Sequence, residues 1–98
     1  MNQLILVVDD DHDVAETIER ALRQAGMESV VAYRGADALH ISRQRPPALV
    51  VLDIMMPGMS GIELCRHMRA SPELASIPIL FLTARGEIGD KIEGFEAG

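Results

Sequence analysis

Leu49-Val50-Val51-Leu52-Asp53-Ile54-Met55-Met56-Pro57-Gly58 decides the fold of this chain. A β-branched-rich aliphatic run ends in a single carboxylate, and a Pro-Gly turn follows. The run is short enough for a strand and too short for a typical helix. It lacks alternation, which marks a strand buried on both faces, as in a parallel sheet. In open α/β sheets, ligands bind beyond the carboxyl ends of such strands. Asp53 is therefore a candidate functional group; the alternative is a turn-forming Asp ahead of Pro-Gly.

The flanking sequence repeats the theme. Leu4 to Val8 is a second unbroken aliphatic run, closed by Asp9, Asp10 and Asp11. Val14, Ala15, Ile18, Ala21, Leu22 and Ala25 then keep helical spacing. Asp11 is placed to cap that helix and Gly26 to end it. Ser29 to Tyr33 reads as a short strand, less apolar at its ends and so nearer the sheet edge. Ala36, Leu39 and Ile41 predict a weaker helix, stopped by Pro46-Pro47. Ser60-Gly61-Ile62-Glu63 matches a capping box. The helix it opens runs to about Arg69, with Ile62, Cys65 and Met68 inward, and Ser71-Pro72 at its end. Ile77 to Leu82 is another apolar run, with Pro78 at its start and Thr83-Ala84 closing it. Ile88, Ile92 and Phe95 keep helical spacing among glycines, each of which costs about 1 kcal/mol relative to Ala inside a helix.

Strand and helix thus alternate along the chain. That order predicts an α/β fold with a parallel sheet, right-handed crossovers and helices on both faces. Asp9, Asp10, Asp53 and Thr83 all fall at C-terminal strand ends, so they should converge at one edge.

Bulk properties narrow the function classes. The 98 residues make one domain, and 48% apolar with 24% charged residues is ordinary globular composition. The net charge of −6 opposes a phosphate backbone, so no direct nucleic-acid contact by this segment is expected. Such a surface suits a basic partner or a metal cation. The single cysteine, Cys65, cannot form an internal disulfide, which fits a reducing compartment. No apolar run reaches membrane-spanning length, and Met1-Asn2-Gln3 lacks the basic region of a signal peptide. A cytoplasmic protein is expected.

Converging carboxylates carry a chemical consequence. Two like charges ~4 Å apart repel by about 4 kcal/mol at an effective dielectric of ~20. Either one carboxyl holds its proton or a cation sits among them. Oxygen-only ligands suit Mg²⁺, with Mn²⁺ as the alternative, rather than Zn²⁺. A carboxylate beside such an ion is a nucleophile towards phosphorus, giving an aspartyl phosphate. The Thr83 hydroxyl could donate to a phosphoryl oxygen. Each residue alone fits an acid-rich loop, a helix cap or a strand end; together at one edge they favour a site.

Val7-Val8-Asp9-Asp10, then Leu52-Asp53-Ile54-Met55-Met56-Pro57-Gly58-Met59-Ser60-Gly61, then Leu82-Thr83-Ala84, resemble the receiver domain of two-component response regulators. The likeness runs from about Leu4 to Gly98, essentially the whole chain, so residues 1–98 are expected to form one receiver domain. It implies a flavodoxin-like doubly wound sheet of strand order 2-1-3-4-5 and a phosphorelay function. Asp53 would accept a phosphoryl group from a phosphohistidine of a sensor histidine kinase or phosphotransfer protein, to switch an output domain or protein partner. Asp9 and Asp10 would hold Mg²⁺ with the Asp53 carboxylate and the Met55 backbone carbonyl. Thr83 would bind the phosphoryl group and move inward. Met55 and Arg85 match variable positions that tune phosphoryl lifetime in the family. Enzymatic turnover is not implied beyond self-catalysed phosphorylation and dephosphorylation.

Receivers continue into a fifth strand, bearing a lysine and an aromatic switch residue, and a fifth helix. Neither precedes Gly98, and Lys91, the single lysine, is on the last predicted helix. The expectation is a receiver truncated after order 2-1-3-4. An open edge at the fourth strand and an uncovered sheet face would then drive dimers or higher oligomers. Two other functions compete: a Mg²⁺-dependent phosphohydrolase with an Asp nucleophile, and a fold-only interaction module. The hydrolase class usually carries a second acid where Met55 stands. His12, His40 and His67 lack metal-ligand spacing and read as solvated, as do Arg66 and Arg69. Cys65 reads as core, the loop methionines 55, 56 and 59 as packing, and Tyr33 as a second-strand residue.

Overall fold

A computed structural model describes residues 3–56 and 58–82. The elements run β1 (Leu4–Val8), α1 (His12–Gln24), β2 (Glu28–Ala32), α2 (Gly35–Gln44), β3 (Leu49–Asp53), α3 (Gly61–Ala70) and β4 (Ile79–Leu82). Every strand pairing is parallel, in the order β2-β1-β3-β4. This is the doubly wound arrangement expected, with the short strand β2 at an edge. Thr83, Arg85 and Lys91, and the helix expected around Ile88, Ile92 and Phe95, lie outside the described residues.

The unbroken runs behave as their composition demands. Leu6, Val8, Val50, Leu52, Ile79 and Phe81 point into one core, with Ala38 and Leu39 of α2 and Leu64, Cys65 and Met68 of α3. Ile5, Val7 and Val51 point to the other face, where Ala15, Ile18 and Leu22 of α1 cover them. Strands sandwiched between helix layers cannot show a polar face, which is why β1 and β3 read as continuous apolar runs.

Local signals set the element ends. The Asp11 carboxylate accepts from the backbone N–H groups of Asp13 and Val14 at 3.0 and 3.2 Å, capping α1. Gly26 has φ +85°; its N–H reaches the Arg23 carbonyl while Met27 N–H reaches that of Leu22. That pair of bonds is a Schellman ending, and its left-handed position requires glycine. The capping box of α3 is present, Ser60 Oγ accepting from Glu63 N–H at 3.2 Å and Glu63 Oε1 from Ser60 N–H at 3.0 Å.

The helix read from Ala36, Leu39 and Ile41 is present as α2; its buried residues are Gly35, Ala38, Leu39 and Ser42, Ile41 packs against the core and Ala36 is exposed. Three expectations need correction. On α1 only Ala15 is fully buried; Val14, Ala21 and Ala25 are exposed. Tyr33 follows β2 rather than belonging to it, and its ring stacks on His12 with centroids 3.8 Å apart. Arg69 is not on a solvated face: its Nη1 donates to the carbonyls of Ala75 and Ile77 at 2.9 and 2.8 Å, tying α3 to the approach to β4.

Candidate functional site

Parallel pairing puts the carboxyl ends of β1 and β3 at one edge. Val8 pairs with Leu52, so Asp9 and Asp53 follow as neighbours. Asp9 N–H still bonds the Ala32 carbonyl at 3.1 Å, which fixes it as an extension of the ladder. Asp9, Asp10 and Asp53 each offer a carboxylate oxygen, and these oxygens lie within 4.8 Å of one another. Asp9 and Asp53 are buried, at 4% and 7% exposure, whereas Asp10 is exposed. The convergence expected for these three residues is thus present. Thr83, the fourth, lies outside the described residues.

Hydrogen bonds orient the two buried acids. Asp9 Oδ1 accepts from Asp11 N–H at 2.9 Å, and Asp53 Oδ1 from Met55 N–H at 3.3 Å. These bonds come from the loops leaving each strand. Burial raises the Asp9 carboxyl from 3.8 to about 6; the Asp11 N–H opposes that rise, and the charges of Asp53 and Asp10 add to it. Protons are retained where positive charge is short. An all-oxygen set of this kind fits a hard divalent cation.

Among the described residues of the loop after Asp53, Met55 is exposed at 58%, Met56 is buried, and Gly58, also exposed, has φ +77°. At its far end Gly61 N–H bonds the Ile54 carbonyl at 2.9 Å. A Cβ on Gly61 would fall onto the Asp53 carbonyl oxygen and 2.8 Å from Ile54 Cα. The start of α3 therefore rests directly on the backbone of Asp53. Sequence reasoning used Gly61 only as part of a capping box, and the close approach has no local signal. The His12–Tyr33 stack also went unread, since its two rings come from different elements.

The family model of the response regulator receiver domain matches residues 5–98. The chain belongs to the response regulator receiver family. It is 50% identical over 94 residues to the uncharacterized transcriptional regulatory protein YrkP of Bacillus subtilis (strain 168), covering 96% of this chain and 39% of that protein. It is 44% identical over 98 residues to the DNA-binding response regulator MtrA of Mycolicibacterium smegmatis, covering 100% of this chain and 42% of the relative. Among solved structures, the N-terminal domain of a response regulator receiver protein from Methanoculleus marisnigri JR1 superposes with a TM-score of 0.84 at 35% identity, covering 97% of this chain and 76% of that one. The receiver thus spans about two fifths of the length of these curated relatives. Its place is in two-component signalling, and the flavodoxin-like order of its sheet is that of its structural neighbours. Among the described residues, no helix is long and apolar enough to cross a membrane.

Proposed function

We propose that this receiver accepts a phosphoryl group on Asp53 and that Asp9, Asp10 and Asp53, with the Met55 backbone carbonyl, hold Mg²⁺ or Mn²⁺. The observation that carries the reading is the meeting of three carboxylate oxygens within 4.8 Å at the carboxyl edge of the sheet. Their chemistry fits the ion: all donors are oxygen, and burial together with the charges of Asp53 and Asp10 raises the Asp9 carboxyl, a penalty that a cation would relieve. A bound divalent ion would supply neutralisation of charge on the transferring group.

The chain's own residues do the rest. An Asp53 carboxylate oxygen attacks phosphorus of a phosphohistidine; the P–N bond breaks, the imidazole leaves with the electron pair, and an acyl phosphate forms. Met55 N–H, bonded to Asp53 Oδ1, holds one oxygen of the nucleophile. Asp11 N–H does the same for Asp9. Thr83, the next residue after β4, is proposed to bind the phosphoryl oxygens. The donor is proposed to be a sensor histidine kinase or phosphotransfer protein, and the response a changed contact with an output domain or partner. Residues 1–98 would serve as one phosphoacceptor unit in the cytoplasm. Self-association is also proposed, through the edge of β4, an outer strand among the described residues.

Incubation with Mg²⁺ and a small acyl-phosphate donor tests the reading by intact mass. A gain of one phosphoryl group that Asp53→Asn abolishes is expected. No gain, or a gain that survives Asp53→Asn, overturns it.

A further inference from the structure

Gly35 opens α2, and Met59 belongs to the loop that follows Asp53. A Cβ built on Gly35 would lie 2.8 Å from Met59 Sδ, 3.0 Å from its Cβ and 3.1 Å from its Cγ. Gly35 is not one of the glycines with positive φ, so its backbone would accept any L-residue. What the position lacks is space, because Met59 occupies it. The Sδ atom could swing aside, but Cβ moves only with the main chain of the loop.

Two residues further on, Gly61 rests on the Asp53 and Ile54 backbone, where a methyl group cannot be added. Ahead of Met59 the same loop turns at Gly58 and exposes Met55. Met59 is half-buried and packs against the larger core, which makes its seat on α2 firm.

We infer that Met59, seated against Gly35, is a positioning residue that sets where the loop after Asp53 lies, and through it the divalent-cation affinity of the carboxylate site. The inference rests on the reading of Asp9, Asp10 and Asp53 as that site. Groups that support a ligand without touching the metal commonly change affinity by about 10–100-fold when altered.

Mg²⁺ titration calorimetry on the wild-type chain, Gly35→Ala, Met59→Ala and the double variant tests it. Each single substitution is expected to weaken Mg²⁺ binding, Gly35→Ala by about tenfold. In the double variant Sδ and Cγ are gone while the Cβ of residue 59 stays 3.0 Å from the new methyl, so the loss is expected to be no greater than that of Gly35→Ala alone. General destabilisation would instead make the two losses add. Wild-type binding with Gly35→Ala unchanged overturns this inference alone, as does a double variant weaker than either single one. A wild-type chain that binds no Mg²⁺ overturns the site reading and this inference with it. Should Gly35→Ala not fold, Met59→Ala decides alone: unchanged affinity overturns the proposal, and weaker binding at an unchanged metal-free unfolding midpoint upholds it.

Discussion

Asp9 and Asp53 leave the sheet side by side, because Val8 and Leu52 are partners in the parallel register of β1 and β3. Two buried acids cannot sit at that spacing without a penalty. Burial and the charge of Asp53 both hold the Asp9 proton, up to about pH 6. The penalty is built into the backbone pairing, so side-chain rotation alone does not remove it.

The sign of the resulting pH dependence follows from linkage. The folded-state pKa of Asp9 is raised, so its contribution to stability is complete below its ordinary value of 3.8 and is lost as pH rises through about 6. The amplitude is roughly 3 kcal/mol, taking about 1.4 kcal/mol per pKa unit. Urea denaturation of the metal-free chain and of Asp9→Asn, compared from about pH 4 to about pH 7, isolates it. The difference between the two should grow with pH in favour of Asp9→Asn. A constant difference would mean that folding leaves the Asp9 carboxyl at its ordinary value.

Protons and Mg²⁺ should compete for the same carboxylate. Below about pH 6, Mg²⁺ affinity is expected to fall by about tenfold per pH unit, as one proton must leave for each ion bound. Asp10→Ala should weaken binding at all pH values yet retain that slope, since Asp10 is the exposed member of the group. Calorimetric titrations at several pH values check both points. Affinity for Mg²⁺ unchanged in Asp10→Ala would remove that residue from the ligand set.

The capping box of α3 holds the helix that carries Gly61 against the Asp53 backbone. Ser60→Ala should cost about 1 kcal/mol in global stability. Ser60→Asp, which preserves an acceptor, should restore most of it. Equal losses in the two variants would show that the cap contributes little.

How much of this was legible depended on the range of each interaction. The runs ending at Asp9 and Asp53, the Asp11 cap, Gly26 and the capping box are local, and each is present as read. Gly35 and Ser42 of α2 are buried without being apolar, so the apolar pattern does not show them. The seats of Gly35 and Gly61 join different elements, so spacing along the chain carries no trace of them. Arg69 failed for a related reason: its acceptors are carbonyls of an irregular segment, which composition does not announce.

Arg69→Met tests that last correction. The aliphatic stem is kept while two charge-assisted hydrogen bonds are lost, at about 1.5–3 kcal/mol. The carbonyls of Ala75 and Ile77 would lose their guanidinium partner just ahead of β4. Amide exchange should quicken in residues 74–80 before it does in β1. Uniform exchange at the wild-type rate would return Arg69 to the solvated face.

Ser42 offers the opposite sign of change. Its side chain is fully buried on the inner stripe of α2, and among the described residues its hydroxyl has no hydrogen-bond partner. A buried hydroxyl without a partner costs about 1–3 kcal/mol. Alanine removes the oxygen, adds no atoms that need space, and is the better helix former by roughly half a kcal/mol. Against this stands the small void left by one oxygen, with its lost dispersion contacts. The balance favours Ser42→Ala by about 1 kcal/mol, read as a higher urea midpoint at an unchanged slope. Ser42→Val, which adds volume to a closed core, should lose stability by about 1–3 kcal/mol. If Ser42→Ala instead lowers the midpoint, the hydroxyl has a partner in solution, and the stripe of α2 is held by a hydrogen bond rather than by packing alone.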